Sequence, residues 1–203
     1  SELGRAAAGR ADLIAVEQRT GGYPGLVWPL GRLYLREDDL TALAKLLESH
    51  SVEPSMPDDV AVMRGLLRLA QGDPDAADEY IDRVLERSPD SWEAHLAKAR
   101  VLHARDRFPE ALAEIRLARP RSPDAEVELW TGKIAERSGK PQEAAAWFRR
   151  AHQLDPSLLE AAFLNGRALL SQGLAREAVT ELQAVTRVTD AFPAAHLALG
   201  LAL

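Results

Sequence analysis

Residues 139–156 read GKPQEAAAWFRRAHQLDP. A Trp–Phe pair, two arginines and a histidine fall within residues 147–152. Two readings compete. The aromatics and cations form a binding site that stacks on a base or clamps a phosphate. Otherwise they sit on the core-facing half of one helix. Recurrence elsewhere in the chain decides between them.

The pattern recurs. Proline beside an acidic residue punctuates the chain at Pro89, Pro123 and Pro156, spaced 34 and then 33 residues. Counting back equal distances from each proline gives three matched sets. The first is Gly65, Ala77, Ile81 and Val84. The second is Ala99, Ala111, Ile115 and Ala118; the third is Gly132, Ala144, Phe148 and Ala151. The frame continues through Gly166, Ala178, Leu182 and Val185, with Asp190 in the proline slot. A glycine inside a helix costs about 1 kcal/mol against alanine, so its recurrence demands close packing. Gly72, Gly139 and Gly173 fit the ends of first helices. Pro74 and Pro141 fit the starts of second helices, where a missing N–H costs nothing.

A period of about 34 with this small–small–large–small pattern resembles the tetratricopeptide repeat, a pair of antiparallel helices. The resemblance implies an all-α fold, a right-handed α-solenoid of stacked helix pairs. It places units at 58–91, 92–124, 125–158 and 159–192, with a degenerate unit at 24–57. Leu30, Gly31 and Tyr34 match in that degenerate unit, whereas Leu43 and Ser55 depart from the small and proline slots. A half-unit at 1–23, with a helix over 5–19, precedes it, and another half-unit fills 193–203. The Trp, Leu and Tyr that the family favours in its first helix are largely lost here. No unit buries its apolar face alone, so neighbours must stack.

In that family the second, fifth, ninth and twelfth positions of first helices commonly line a concave wall. Carried over, the fifth position gives Trp28, Val62, Leu96, Leu129, Phe163 and Leu197. The ninth gives Arg32, Leu66, Arg100, Lys133, Arg167 and Leu201. The second is mostly acidic, and the twelfth holds His103 and Glu136. An apolar row beside a basic row suits a peptide or amphipathic helix carrying acidic residues. The bland alternative pairs ninth-position cations with carboxylates of adjacent units, in a solvated ladder worth about 0–1 kcal/mol per pair. Trp28 also has two readings. Either the helix begins at Pro29 and Trp28 caps the stack, or Trp28 anchors a partner. The Asn-dependent clamps of the family are not supported, because Asn165 is the sole asparagine.

Other chemistry finds little support. The net charge is −6 and the pI about 5.4, which argues against a nucleic-acid partner. There is no cysteine, hence no disulfide or thiolate metal site. The histidines show no metal-binding spacing, and His95 and His196 fall at a helix-packing position. GGYPG at 21–25 reads as a turn rather than a phosphate loop, and no nucleophile elbow occurs. No catalytic residue, cofactor or metal is therefore expected. No apolar run approaches the roughly 20 residues of a membrane span, and the first residues do not read as a signal peptide. These features lean towards the cytoplasm without assigning a compartment. The termini look like cuts in a longer protein.

The expected function is a protein-interaction scaffold that binds a peptide or helix in the groove. The alternative is a repeat segment that regulates or positions an enzyme, such as a transferase, lying outside this chain. Self-association through terminal repeats is a third expectation.

Overall fold

The structure, a computed structural model, describes residues 11–17, 19, 25–50, 56–118, 120, 122–188 and 192–203. Part of the helix expected at 5–19, most of the turn at 21–25, and both Ser55 and Asp190 lie outside the described residues. Residues 11–17 are helical. After them come α1 (Val27–Arg36), α2 (Leu40–Ser49), α3 (Asp58–Ala70), α4 (Pro74–Arg87), α5 (Trp92–Ala104) and α6 (Phe108–Leu117). The order continues with α7 (Ala125–Arg137), α8 (Pro141–Leu154), α9 (Leu159–Ser171), α10 (Ala175–Thr186) and α11 (Pro193–Ala202). No strand occurs among the described residues, and the fold is an all-α helical-repeat solenoid.

The chain forms two compact units. The first holds Ser1–Arg107 with Arg116–Ala118; the second holds Phe108–Ile115 with Arg119–Leu203.

One turn recurs between paired helices. Asp38, Gly72, Asp106, Gly139 and Gly173 all have positive φ, between 56° and 82°. Their positions are 34, 34, 33 and 34 residues apart. At each, the next residue's N–H bonds back to a carbonyl five residues earlier: Asp73 to Arg68 and Lys140 to Ala135, both at 3.0 Å, are examples. This bond satisfies a carbonyl that the ending helix would otherwise orphan. The following helix is then started locally. Asp39 and Asp73 accept from the N–H groups of Ala42 and Ala76 at 2.9 and 3.0 Å. Pro74 and Pro141 occupy the first helical turn, as expected.

Within the first unit, Leu30, Leu43, Leu47, Met63, Ile81 and Val84 share one buried cluster. Gly65 lets α3 and α4 approach: a Cβ there would lie 3.0 Å from Ile81 Cγ1 and 3.1 Å from the Ala77 carbonyl. Gly31 behaves differently, because its added Cβ would meet Met63 Sδ of the next first helix at 2.6 Å. In the second unit Phe148 fills the space over Gly132, flanked by the buried Ala144 and Ala151. Leu182 lies over Gly166 in the same way, beside the buried Ala178.

The opening stretch is therefore structural. Phe148 is fully buried, and Trp147 packs at the edge of its cluster. Arg150 lies over the Trp147 ring at 5.9 Å and bonds Glu128 through Nε at 2.9 Å. One of the two readings of Trp28 is corrected in its helix start. The first helix begins at Val27 rather than Pro29. Pro29 fits inside the first turn because that turn's N–H groups have no intrahelical acceptor.

Candidate partner-binding surface

Twelve of the residues carried over as groove-lining, all but Glu136 and Leu201, separate by burial. Val62, Leu66 and Leu96 are each 1% exposed, and Leu129 is 3% exposed. They have no surface to offer a partner and belong to the interior, which corrects the expectation for these four. Helices stacked on both sides of a first helix bury a broader stripe than one partner helix would. Arg100 and His103 are half-buried on α5. Leu197, on α11, is 70% exposed.

The remaining residues sit in aromatic–cation arrangements on first helices. In the first unit Trp28 packs edge-on against Trp92, with centroids 5.5 Å apart and rings at 82°. The Arg32 guanidinium lies over the Trp28 ring at 5.9 Å. The Trp28 indole N–H is enclosed and makes no hydrogen bond among the described residues.

In the second unit Lys133 lies over the Trp130 ring at 4.3 Å and bonds Glu160 at 2.7 Å. Arg167 lies over the Phe163 ring at 5.9 Å. Its Nη2 reaches both Glu136 oxygens, at 2.7 and 2.6 Å. Phe163 in turn meets Phe192 edge-on, with centroids at 5.0 Å. The structure thus brings Lys133, Phe163 and Arg167 together on α7 and α9. Both cations also take the pairing that the ladder alternative required: Lys133 with a second-position glutamate and Arg167 with a twelfth-position one. A partner carboxylate must compete with Glu160 and Glu136. The sequence reading missed Trp130, Trp92 and Phe192. For Trp130 a signal existed, namely an aromatic three residues before Lys133 on a helix.

A second charged group went unnoticed. Lys98 Nζ lies 2.6 Å from both Asp78 and Asp82. Arg105 bonds Asp78 at 2.6 Å and also engages Asp75. Burial alone would raise the Asp78 carboxyl, but the hydrogen bonds and charges of Lys98 and Arg105 hold it below its ordinary value. Burial would likewise lower Lys98, yet Asp78 and Asp82 push it up. This network joins α4 to α5.

His95 is buried, its Nε2 2.8 Å from the Pro89 carbonyl, so it is a packing residue as expected. His196 is exposed, which corrects the expectation of a packing slot there. Among the described residues no three His, Asp or Glu side chains are grouped to hold a metal. No helix among them is long and apolar enough to cross a membrane.

Comparison with known proteins gives one family. Two tetratricopeptide-repeat family models match, over residues 62–126 and 135–201. Among solved structures, TTC0263, a thermophilic TPR protein of Thermus thermophilus, is similar with a TM-score of 0.69 at 18% identity, over 87% of this chain and 96% of that one. YrrB, a TPR protein with an unusual peptide-binding site, is similar with a TM-score of 0.60 at 21% identity, over 80% and 82% of the two chains. PilF of Pseudomonas aeruginosa is similar with a TM-score of 0.61 at 17% identity, over 88% and 78%. At such identities the likeness speaks to fold alone. No curated protein sequence matches the chain.

Proposed function

The chain belongs to the tetratricopeptide-repeat family, whose repeats serve as protein-interaction scaffolds, and we propose that it binds an extended peptide or a helix of a protein partner along its first helices. The observation that carries this reading is the repeated cation over an aromatic: Arg32 on Trp28, Lys133 on Trp130 and Arg167 on Phe163. Such pairs offer an apolar plane and a positive charge at one spot. They suit a partner that alternates acidic with apolar or aromatic residues. The aromatics supply contact area, and the charges set orientation and association rate. A fold of this type is typically a non-catalytic scaffold, and this reading assigns the chain no reaction.

The ion pairs to Glu136 and Glu160 temper the affinity. An incoming carboxylate replaces an existing partner instead of capturing a bare cation, so each exchange gains little. Affinity then rests on the aromatic contacts, and specificity on the charges. The test is a fluorescence-polarisation screen of 15-residue peptides that place acidic residues at varied spacing beside leucine or phenylalanine. A double variant, Lys133→Glu with Arg167→Glu, should weaken the best binder at least thirtyfold while the helical circular-dichroism signal stays intact. Unchanged binding by the folded double variant removes this face from the function.

Self-association is a second reading, favoured by the 70% and 75% exposure of Leu197 and Leu201 one turn apart on α11. Light scattering across a concentration series tests it. A Leu197→Glu/Leu201→Glu variant should lower any associated mass, and a constant monomer mass for the unaltered chain rules it out.

A further inference from the structure

α11 is a first helix of the repeat that no second helix covers among the described residues. Gly132, Gly166 and Gly200 are spaced by 34 residues, and so are Leu129, Phe163 and Leu197. Gly132 and Gly166 are buried beneath Phe148 and Leu182 of their own second helices. Gly200 is exposed, and nothing lies within 4 Å of a Cβ added there. Leu197 is 70% exposed where Leu129 is 3% exposed. His196 is exposed where Glu128 and Ala162, at the same repeat position, are buried. The face that α7 and α9 keep under a second helix is therefore open on α11.

The existing pairs define what fits such a face. In α7 and α8 the large Phe148 seats on Gly132. Leu129 stands three residues before that glycine and Ala151 three residues after that ring, and both belong to one buried cluster. Phe163 and Val185 stand in the same relation to Gly166 and Leu182, and Phe163 packs against the cluster that holds Val185. Antiparallel helices thus meet as a large residue on glycine and, three residues along, a large residue on a smaller one. α11 carries both halves of this pattern on one face. Leu197 and Gly200 are three residues apart, about 60° round the helix. A second α11, turned end for end, sets its Leu197 on Gly200 and its Gly200 beneath Leu197. The helix reads PAAHLALGLA, without Asp, Glu, Lys or Arg, so two copies meet without like-charge repulsion.

We propose that α11 is a homodimer interface, on which a second copy of this chain lays its own α11 antiparallel across a twofold axis. Each Leu197 fills the open socket at the other copy's Gly200, with Leu201 at the rim. The proposal rests on the self-association reading and adds to it the register, the twofold and the socket. A twofold contact uses the same patch on both copies and closes at two. Two ten-residue helices cover less than the roughly 1,200–2,000 Å² of a standard interface. The dimer is therefore weak, and the dilute chain is monomeric.

Sedimentation equilibrium up to millimolar concentration is the test. The mass should rise with concentration and stop at twice 22.2 kDa. Gly200→Leu fills the socket and should weaken the dimer at least tenfold. The open space around Gly200 leaves the monomer fold intact, which the helical circular-dichroism signal checks. Leu197→Ala with Gly200→Leu exchanges knob and socket, and should restore the dimer to within about threefold of the parent. A constant monomer mass overturns the proposal and the self-association reading together. A dimer indifferent to Gly200→Leu, or not restored by the exchange, overturns the register and leaves self-association standing. A mass that climbs past the dimer overturns the twofold. If a monomeric chain instead binds the peptide of residues 139–155, the face belongs to a helix of another protein, and the proposal falls.

Discussion

Gly132 touches Phe148 so closely that no side chain fits between them. A Cβ on Gly132 would lie 2.5 Å from Cε1 and 2.6 Å from Cδ1 of a ring with no exposed surface. Replacing a helical glycine by alanine ordinarily gains about 1 kcal/mol. Here the ring cannot retreat, and overpacking costs typically about 1–3 kcal/mol. Gly132→Ala should therefore lose up to about 2 kcal/mol. Gly200 is the internal control, because nothing lies within 4 Å of a Cβ added there. Gly200→Ala should be neutral or gain about 0.5 kcal/mol, being near a helix end. Urea denaturation midpoints measure both, and two changes of the same sign contradict the packing argument.

Asn165 is 1% exposed on α9, and its Oδ1 has no hydrogen-bond partner among the described residues. It occupies a position where the repeat family favours leucine. A buried acceptor left unpaired costs about 1–3 kcal/mol, whereas an apolar group of similar shape costs nothing of that kind. Asn165→Leu should raise stability by about 1 kcal/mol after some overpacking loss. A higher thermal midpoint in calorimetry is the expected result. A fall would show that the amide is satisfied in solution, for instance by a trapped water.

The small–large register was legible in the sequence because close helix approach leaves few choices. Glycine alone fits directly opposite Phe148 and Leu182, with alanine beside each, so the period printed itself in composition. Turns were legible only where glycine made them. Asp38 and Asp106 adopt the same positive φ as Gly72, and aspartate in that slot carries no distinctive signal. The binding face was harder to read. A helix position predicts a direction, whereas exposure depends on what the neighbouring helices cover. Val62 and Leu197 share a repeat position, yet they are 1% and 70% exposed. Ion pairs such as Arg167–Glu136 span 31 residues, and side-chain reach of that kind leaves no local pattern.

Asp78 and Glu128 should give stability opposite dependences on pH. The Asp78 carboxyl is held below its ordinary value of 3.8 by Lys98 and Arg105, despite burial. Its stabilisation is therefore present above 3.8 and is lost as the pH falls through the lower folded value. Glu128 is the reverse. Burial raises its carboxyl above 4.5 and Asp124 adds to this, while Arg150 offsets only part. Ionising it costs the folded state as the pH rises through that higher value. Asp78→Asn should thus lose about 1–2 kcal/mol at neutral pH, since it leaves Lys98 and Arg105 short of a counter-charge in a partly screened site. That deficit should shrink in acid. Glu128→Gln should be more stable than the parent at neutral pH, and the two should converge below about pH 4. Urea midpoints at neutral and acid pH read both effects. If the two variants shift in the same direction at neutral pH, burial and pairing do not set these carboxylates apart.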